Sequence, residues 1–500
     1  MSRFAVLFLF TGLLISQFNN VSAQVANNPM LYSYQAVQFS DRQVSHDPVT
    51  LVMPGTAMAT GFASYFDNPA SAALHKGSFG SLGMVFRNVN EEALFNGRNI
   101  DLNDNQISAS SLGLVYSLPV VRGSLVFGAG YSQHSFYNRA VALGGRNERS
   151  TMTDFFKIPG SMYEDMAFNA WAIDWGDEDE TYLDSVFRIG FPTGDWPGIT
   201  QHGEIIERGY SGEYSAFVAT ELVQNLMVGL SVGLGTGRHR LDRTLLEVDR
   251  FNDYDGDFIE TDDGGTDIDT ILLRDDITNS YYNFTARVGA IYNLSNHIGF
   301  GASFTFPGKL QVDETFDASI RSSLDNGVVF EEELAGEYSY GIEAPSELRL
   351  GLAVKNVAGF TASLSAEYVD FGKTRLDFDT VELEQERNEN DLIQDSYRSV
   401  WNLRGGLAKS ISDEVVLRGG YRLEPSRFQS GGREANAFTG GISIAFSPDA
   451  HLDVGAQFSR FSEESLLYEF EDQNFELQNE MAERTASQLQ LMATLRIFLR

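Results

Sequence analysis

Gln488-Leu489-Gln490-Leu491-Met492-Ala493-Thr494-Leu495-Arg496-Ile497-Phe498-Leu499-Arg500 ends the sequence. Leu489, Leu491, Ala493, Leu495, Ile497 and Leu499 share one parity, and Gln488, Gln490, Met492, Thr494, Arg496 and Arg500 share the other. Alternation with a period of two puts each set on its own face of a strand. The pattern recurs upstream. Leu348, Leu350, Leu352 and Val354 alternate with Glu347, Arg349, Gly351 and Lys355, and Tyr282, Phe284, Ala286 and Val288 alternate with Asn283, Thr285, Arg287 and Gly289. Trp401, Leu403 and Leu407 are offset by one from Asn402, Arg404 and Ala408, as Leu417 and Tyr421 are from Arg418 and Arg422. One such strand would suit a soluble sandwich, whose apolar face packs on a second sheet. Many strands of ~10 residues with aromatics near their ends suit a transmembrane barrel, apolar outside and polar within. On this register Leu350→Arg faces hydrocarbon and Arg349→Leu faces the lumen, so the second should cost less.

The expected strands cover 78–89, 107–118, 122–133, 211–221, 226–236, 281–294, 297–321, 346–357, 360–372, 397–409, 413–423, 436–447, 450–462 and 485–499. That is about fourteen, an even number, as single-chain bacterial barrels require. Short turns near 119–121, 222–225, 295–296, 358–359, 410–412 and 448–449 follow the even strands. Long loops near 90–106, 134–210, 237–280, 322–345, 373–396, 424–435 and 463–484 follow the odd ones. A sandwich has no reason to sort its connections this way. In outer-membrane barrels short turns are periplasmic and long loops extracellular, which puts both ends of the barrel at the periplasm.

The N-terminus agrees with export. Arg3, an apolar run over 4–15 and the small residues Val21-Ser22-Ala23 have the layout of a signal peptide over 1–23. The run is shorter than the ~20 residues of a membrane helix; the alternative is a buried N-terminal helix. There is no cysteine, which excludes disulfides, thiol catalysis and a lipoprotein anchor. A net charge of −33 excludes a nucleic-acid partner, which needs a basic footprint. Much of that charge lies in the long loops, at 174–180, 253–263 and 463–483. Such runs are solvated loop surface or, alternatively, hold divalent cations at the lipopolysaccharide. Residues 24–77 precede the first strand, hold Pro29, Pro48, Pro54 and Pro69, and lack clean alternation. A barrel of this size has a lumen that chain can fill, so these residues are expected to form an internal plug, with the barrel over 78–500. The fold class is thus all-β, a transmembrane antiparallel barrel with an N-terminal hatch.

Tyr34-Gln35-Ala36-Val37-Gln38-Phe39-Ser40, Pro54-Gly55-Thr56-Ala57 and Asp67-Asn68-Pro69-Ala70, directly before the first strand, resemble the start of the FadL/TodX family. These are outer-membrane transporters of long-chain fatty acids and hydrocarbons. Pro345-Ser346-Glu347-Leu348-Arg349-Leu350-Gly351 with Ala366-Glu367-Tyr368-Val369-Asp370-Phe371-Gly372 resembles the family's paired middle strands. Trp401 with Arg404-Gly405-Gly406-Leu407, then Leu417-Arg418-Gly419-Gly420-Tyr421, is similar to its next hairpin. The resemblance runs with gaps from about residue 34 onward, and Ser71 departs from a frequent glycine. It implies fourteen strands, a hatch marked by Asn68, Pro69 and Ala70, and passive uptake of hydrophobic small molecules. Cargo would leave through a lateral opening or past the hatch, with no cofactor. The other partners expected are outer-membrane lipid, lipopolysaccharide and the outer-membrane assembly machinery.

Three constellations could carry chemistry. In the loop at 134–210, Phe168, Trp171 and Trp175 would share a helix face at i, i+3 and i+7. They are either an apolar capture site or packing over the barrel mouth. The inward-facing Arg287, Arg349, Arg404, Arg418, Arg422 and Arg496 could meet a carboxylate head group. The alternative is internal pairing with Glu347, Glu367 and Asp453. Asp253, Asp255 and Asp257 resemble a calcium loop, but Phe258 stands where that pattern wants glycine. No motif of a hydrolase is present. His134-Ser135 is the one pair that a barrel phospholipase could use, and an adhesin displaying acidic loops is the structural alternative.

Overall fold

The computed structural model describes residues 30–42, 47–157, 163–176, 179–189, 196–254, 259–261, 264–378, 383–429, 432, 434–471 and 477–499. Its wall is made of Ser78–Phe95 (β1), Arg98–Leu118 (β2), Leu125–Phe136 (β3), Ile199–Val223 (β4), Leu226–Val248 (β5) and Ile268–Asn293 (β6). Ile298–Thr305 with Gly308–Leu324 forms β7, and Val329–Ala344 with Glu347–Val357 forms β8. Phe360–Asp370 (β9), Ser399–Ser410 (β10), Val415–Glu424 (β11), Ala435–Ser447 (β12), Ala450–Glu471 (β13) and Leu477–Leu499 (β14) complete it. Each strand pairs antiparallel with its neighbours, and β1 pairs with β14 from Ser78↔Leu499 to Leu94↔Glu483. Closure pairs the wall's backbone polar groups with one another, which a strand in lipid requires.

The parity read from sequence sets the faces. Leu350 is 44% exposed and Arg349 2%. Leu491, Leu495, Ile497 and Leu499 point outward, whereas Gln490, Met492 and Thr494 are buried. Aromatics meet on the outer face, as Trp401 does with Tyr368 at 5.2 Å. Pro307 and Pro345 interrupt adjacent strands at one height, between the pairs Thr305↔Glu347 and Gly308↔Ala344. Proline has no N–H for the ladder, so β7 and β8 break there together.

The strands run further than expected. The loop expected at 90–106 is strand except for Asn96-Gly97, a two-residue hairpin turn with positive φ at both positions (46° and 73°). Most of 322–345 is strand as well, and the loops expected at 237–280 and 463–484 shrink because β5, β6, β13 and β14 lengthen. The cause is a reversal of the pattern above the membrane. In β5 the even residues Leu230, Val232 and Leu234 point outward low in the wall. Higher up, the even residues Arg240 and Asp242 still point outward, but the odd residues Leu241 and Leu245 now form a core inside.

The described residues between 148 and 198 close that upper core. Phe156, Ala167, Ile173 and Phe187 among them pack against Leu241, Ile271, Leu273 and Ile320. At the other end of the chain, helices Tyr32–Ser40, Pro48–Val52 and Ser64–Asp67 and the 3₁₀ turn Pro69–Leu74 lie within the cylinder. Ala36, Val37 and Phe39 pack against Tyr281, Tyr340 and Ile342 of the wall, and Phe62, Tyr65 and Phe66 join Val115, Phe217 and Ile291. The signal peptide expected over 1–23 and the first plug residues, 24–29, lie outside the described residues.

Candidate functional site

Inside the barrel, side chains satisfy the backbone of the hatch. Asn68 is buried with φ −159°, the extended geometry expected of a residue before proline. Its amide nitrogen donates to Thr56 O (2.7 Å) and lies within bonding distance of the wall carbonyls of Ala290 (3.1 Å) and Ala302 (3.3 Å). Its Oδ1 caps the following 3₁₀ turn by accepting from Ala70 N at 2.9 Å. Pro69 sits at the first position of that turn, where an N–H is not needed. Asp67 accepts from Gly55 N (2.7 Å) and pairs with Arg404 of β10 at 2.5 Å. Ser303 and Ser363 donate from the wall to Asp67 O and Pro54 O, each at 2.6 Å. Asp47 caps the helix Pro48–Val52 through Val49 N and Thr50 N. Burial, reinforced by the nearby Asp453 carboxylate, pushes the Asp47 carboxyl up.

Glycines make this approach possible. A Cβ on Gly289 would collide with Asn68, one on Gly229 with Pro69, one on Gly301 with Thr56, and one on Gly406 with Val52. These residues sit on strands β6, β5, β7 and β10 and together form a groove for the hatch backbone. Nothing in the local sequence marks these glycines, because the contact that explains each position is long-range.

The inward arginines are paired internally, among the alternatives weighed for them. Arg287 grips Glu213 of β4 with both nitrogens, at 2.7 and 2.8 Å. Arg349 pairs with Glu347 (2.8 Å) and Glu367 and donates to Phe66 O. Arg496 clasps Asp453 at 2.6 and 3.0 Å, Arg422 pairs with Glu424, and Arg418 donates to Ser443 at 2.6 Å.

A cavity of about 170 Å³ remains in the lumen. The hatch contributes Tyr34, Gln38, Asp41 and Leu51 to its lining, and the wall contributes Arg87, Phe136, Tyr137, Asn138 and Arg139 among others. Phe136 to Arg139 is where the wall changes. The β2–β3 ladder ends at Ser111↔Ser132, although β2 continues up to Arg98 with its ladder bonds to β1 alone. β3 stays with β4 as far as Phe136↔Tyr210, and the chain resumes as the strand Arg139–Asn147, also against β4. Above Ser111 a seam therefore separates β2 from β3. Side chains bridge it: Ser108 Oγ to Gln133 Oε1 at 3.2 Å, and Asn138 Nδ2 to Asp104 Oδ2 at 3.3 Å. Ser132, the last rung, is the eighth residue of β3. A strand crosses the hydrocarbon in ~9–11 residues, so the seam begins in the outer part of the hydrocarbon and runs upward from there.

The three loop aromatics do not share a helix. The helix Glu164–Asn169 ends before Trp171, which takes positive φ (58°) as Ala172 N returns to Ala167 O at 2.8 Å. That is the left-handed stop of a helix C-terminus, here made by tryptophan rather than glycine. The arrangement still gathers aromatics. Phe168 and Trp175, both more than a third exposed, meet edge to face at 6.0 Å, and Trp171 lies 5.8 Å from Phe330. Of the calcium candidates, Asp253 pairs with Arg146 at 2.9 Å, whereas Asp255 and Asp257 lie outside the described residues. Among the described residues no group of three or more acidic or histidine side chains is placed to hold a metal. His134 Nδ1 is 2.9 Å from Ser135 Oγ, but that hydroxyl donates to Asp41 O in the hatch at 2.9 Å and both side chains are buried.

No protein-family model matches the sequence, and no curated protein matches it. Solved structures do. The toluene transporter TodX of P. putida is similar over 92% of this chain and all of its own, with a TM-score of 0.51 and 14% identity. A FadL homologue of Pseudomonas aeruginosa is similar over 92% of this chain and all of its own, with a TM-score of 0.52 and 10% identity. The resemblance read in the sequence thus holds for the fold, a hatch-filled barrel of the outer-membrane type.

Proposed function

We propose that this chain is a passive channel through which hydrophobic small molecules, long-chain fatty acids or hydrocarbons, cross the bacterial outer membrane. The observation that carries the reading is the lumen cavity, which is blocked by the hatch yet borders the seam between β2 and β3. A general aqueous pore has no use for such a plug. A hydrophobic molecule, by contrast, gains by leaving the lumen sideways into lipid rather than downward into water, since burying apolar surface is worth ~25 cal/mol per Å². The sharing of this fold with a toluene transporter supports the same cargo class. Phe168, Trp171 and Trp175 form the first capture site at the extracellular mouth, because exposed aromatic clusters bind apolar partners.

The absence of cysteine offers a clean test. Ser108→Cys with Gln133→Cys, joined by a short reducible thiol cross-linker, would staple the seam, because the contact is made by the end of the Gln133 side chain and a direct disulfide would not reach. In cells whose uptake depends on this protein, cross-linking should stop import of a labelled long-chain fatty acid or of toluene, and a reductant should restore it. Import that continues through the stapled seam would exclude the lateral route. Import that never depended on the protein would exclude the channel.

A further inference from the structure

Tyr32, in the first turn of the hatch, stands in an aromatic box. Its ring meets those of Tyr340 and Phe378 edge to face at 5.1 and 5.3 Å and lies 6.0 Å from that of Tyr338. Its hydroxyl donates to Glu314 Oε1 of β7 at 3.0 Å. Glu314 is buried, no cation pairs with it among the described residues, and its Oε2 makes no hydrogen bond. A buried carboxylate of this kind depends on the donors that reach it. Tyr65, elsewhere in the hatch, differs: its hydroxyl donates to a serine, Ser215, at 3.1 Å.

A tyrosine side chain is p-cresol joined to a backbone. The box therefore already has what a free phenol needs, rings against its faces and edges and an acceptor for its hydroxyl. Its present occupant is replaceable. Tyr32 is half-buried, and only Met30 and Leu31 precede it among the described residues. Its helix has no side-chain N-cap and is tied instead by Ser33 N, which donates to Glu389 at 2.8 Å. A track also leads to the box. Phe330, Leu334, Tyr338 and Tyr340 hold even positions of β8 and so share its inner face. Phe330 lies 5.8 Å from Trp171 of the capture cluster. The short strand Arg375–Phe378 flanks β8 only from Tyr340 to Glu343, and above it Leu334 is 37% exposed.

We propose that this box is a binding site for phenols, in which the ring of the incoming molecule replaces that of Tyr32 and its hydroxyl donates to Glu314. The proposal rests on the channel reading and narrows it: among apolar aromatic molecules, those with a phenolic hydroxyl are preferred. Toluene would fill the same space but would take from Glu314 the donor that Tyr32 supplies. A site built around a hydroxyl discriminates against the analogue that lacks one.

The test is calorimetric titration of the full-length barrel in detergent with p-cresol and with toluene. Partition into detergent is common to all variants, so the ratio of the two affinities, compared between variants, reports the site. Wild-type protein should favour p-cresol over toluene by about tenfold or more relative to Glu314→Leu. Tyr32→Ala removes the internal competitor and should bind p-cresol tighter than wild-type protein while keeping that preference. In the Tyr32→Ala, Glu314→Leu double variant only an apolar cavity remains, and the preference should fall to that of Glu314→Leu. Assembly is checked by heat-modifiable gel mobility, and Glu314→Met replaces Glu314→Leu if the latter fails it. A preference that survives loss of Glu314, or p-cresol binding that Tyr32→Ala does not strengthen, would overturn the proposal. Binding by Tyr32→Ala but not by wild-type protein would mark an engineered cavity only and overturn it as well. The stapled seam probes transport without touching the box, so the two readings can fail separately.

Discussion

Leu350 and Arg349 are neighbours whose substitutions test different physics. Leu350 faces lipid in the Glu347–Val357 part of β8, so Leu350→Arg should destabilise by up to ~2–4 kcal/mol, the cost of a charge at the midplane. The sequence predicted a smaller cost for Arg349→Leu, because a lumen face tolerates change. The structure reverses this. Arg349 holds Glu347, Glu367 and Phe66 O, and its loss takes the paired cation from buried Glu367 and leaves Glu347 with Arg42 alone. Removing one partner of such a pair costs ~3–5 kcal/mol. Equilibrium unfolding in lipid vesicles should therefore show Arg349→Leu at least as damaging as Leu350→Arg, and a near-neutral Arg349→Leu would refute the pairing. Glycine gives a second contrast. Gly289→Ala should push Asn68 off the wall and raise the conductance of the reconstituted barrel, while Gly419→Ala, whose Cβ meets nothing within 4 Å, should not. Equal conductance in the two variants would mean that the hatch does not lie in that groove.

At the scale of the strand, each of the fourteen expected segments lies on a wall strand, because the membrane enforces one rule: apolar outward. Above the membrane that rule lapses. Arg240 and Asp242 take the outward positions and Leu241 and Leu245 the inward ones, so the alternation continues with its sense inverted. Read with the membrane rule, the upper halves of β5 and β6 look like loop. The seam was hidden for a related reason: a ladder that parts at Ser111↔Ser132 leaves no mark in either strand's own alternation. The topology nevertheless stands on connection length. A protease-cleavable tag placed within 249–267, between β5 and β6, should be cut on intact cells, and one within 411–414, between β10 and β11, should not. Cutting at the second site alone would invert the barrel.

At the scale of the molecule, what the sequence left unread is what only distance in the chain creates. Asn68 reaches Ala290 across 222 positions, and Arg349 reaches the carbonyl of Phe66 across 283. The family motif marked where the hatch lies, but not the glycine groove that receives it. Closure of the wall is the extreme case. Ser78 opens β1 and pairs with Leu499, almost the last residue of all. In time, then, the first strand to be made pairs early with β2 but is among the last to find its second neighbour. Until that moment it carries an open row of donors and acceptors, the kind of edge that recruits foreign chains. Contacts this far apart in sequence also form slowly. The cylinder cannot be assembled by instalments: a chain halted anywhere before β14 is not a smaller channel but a sheet with two sticky margins.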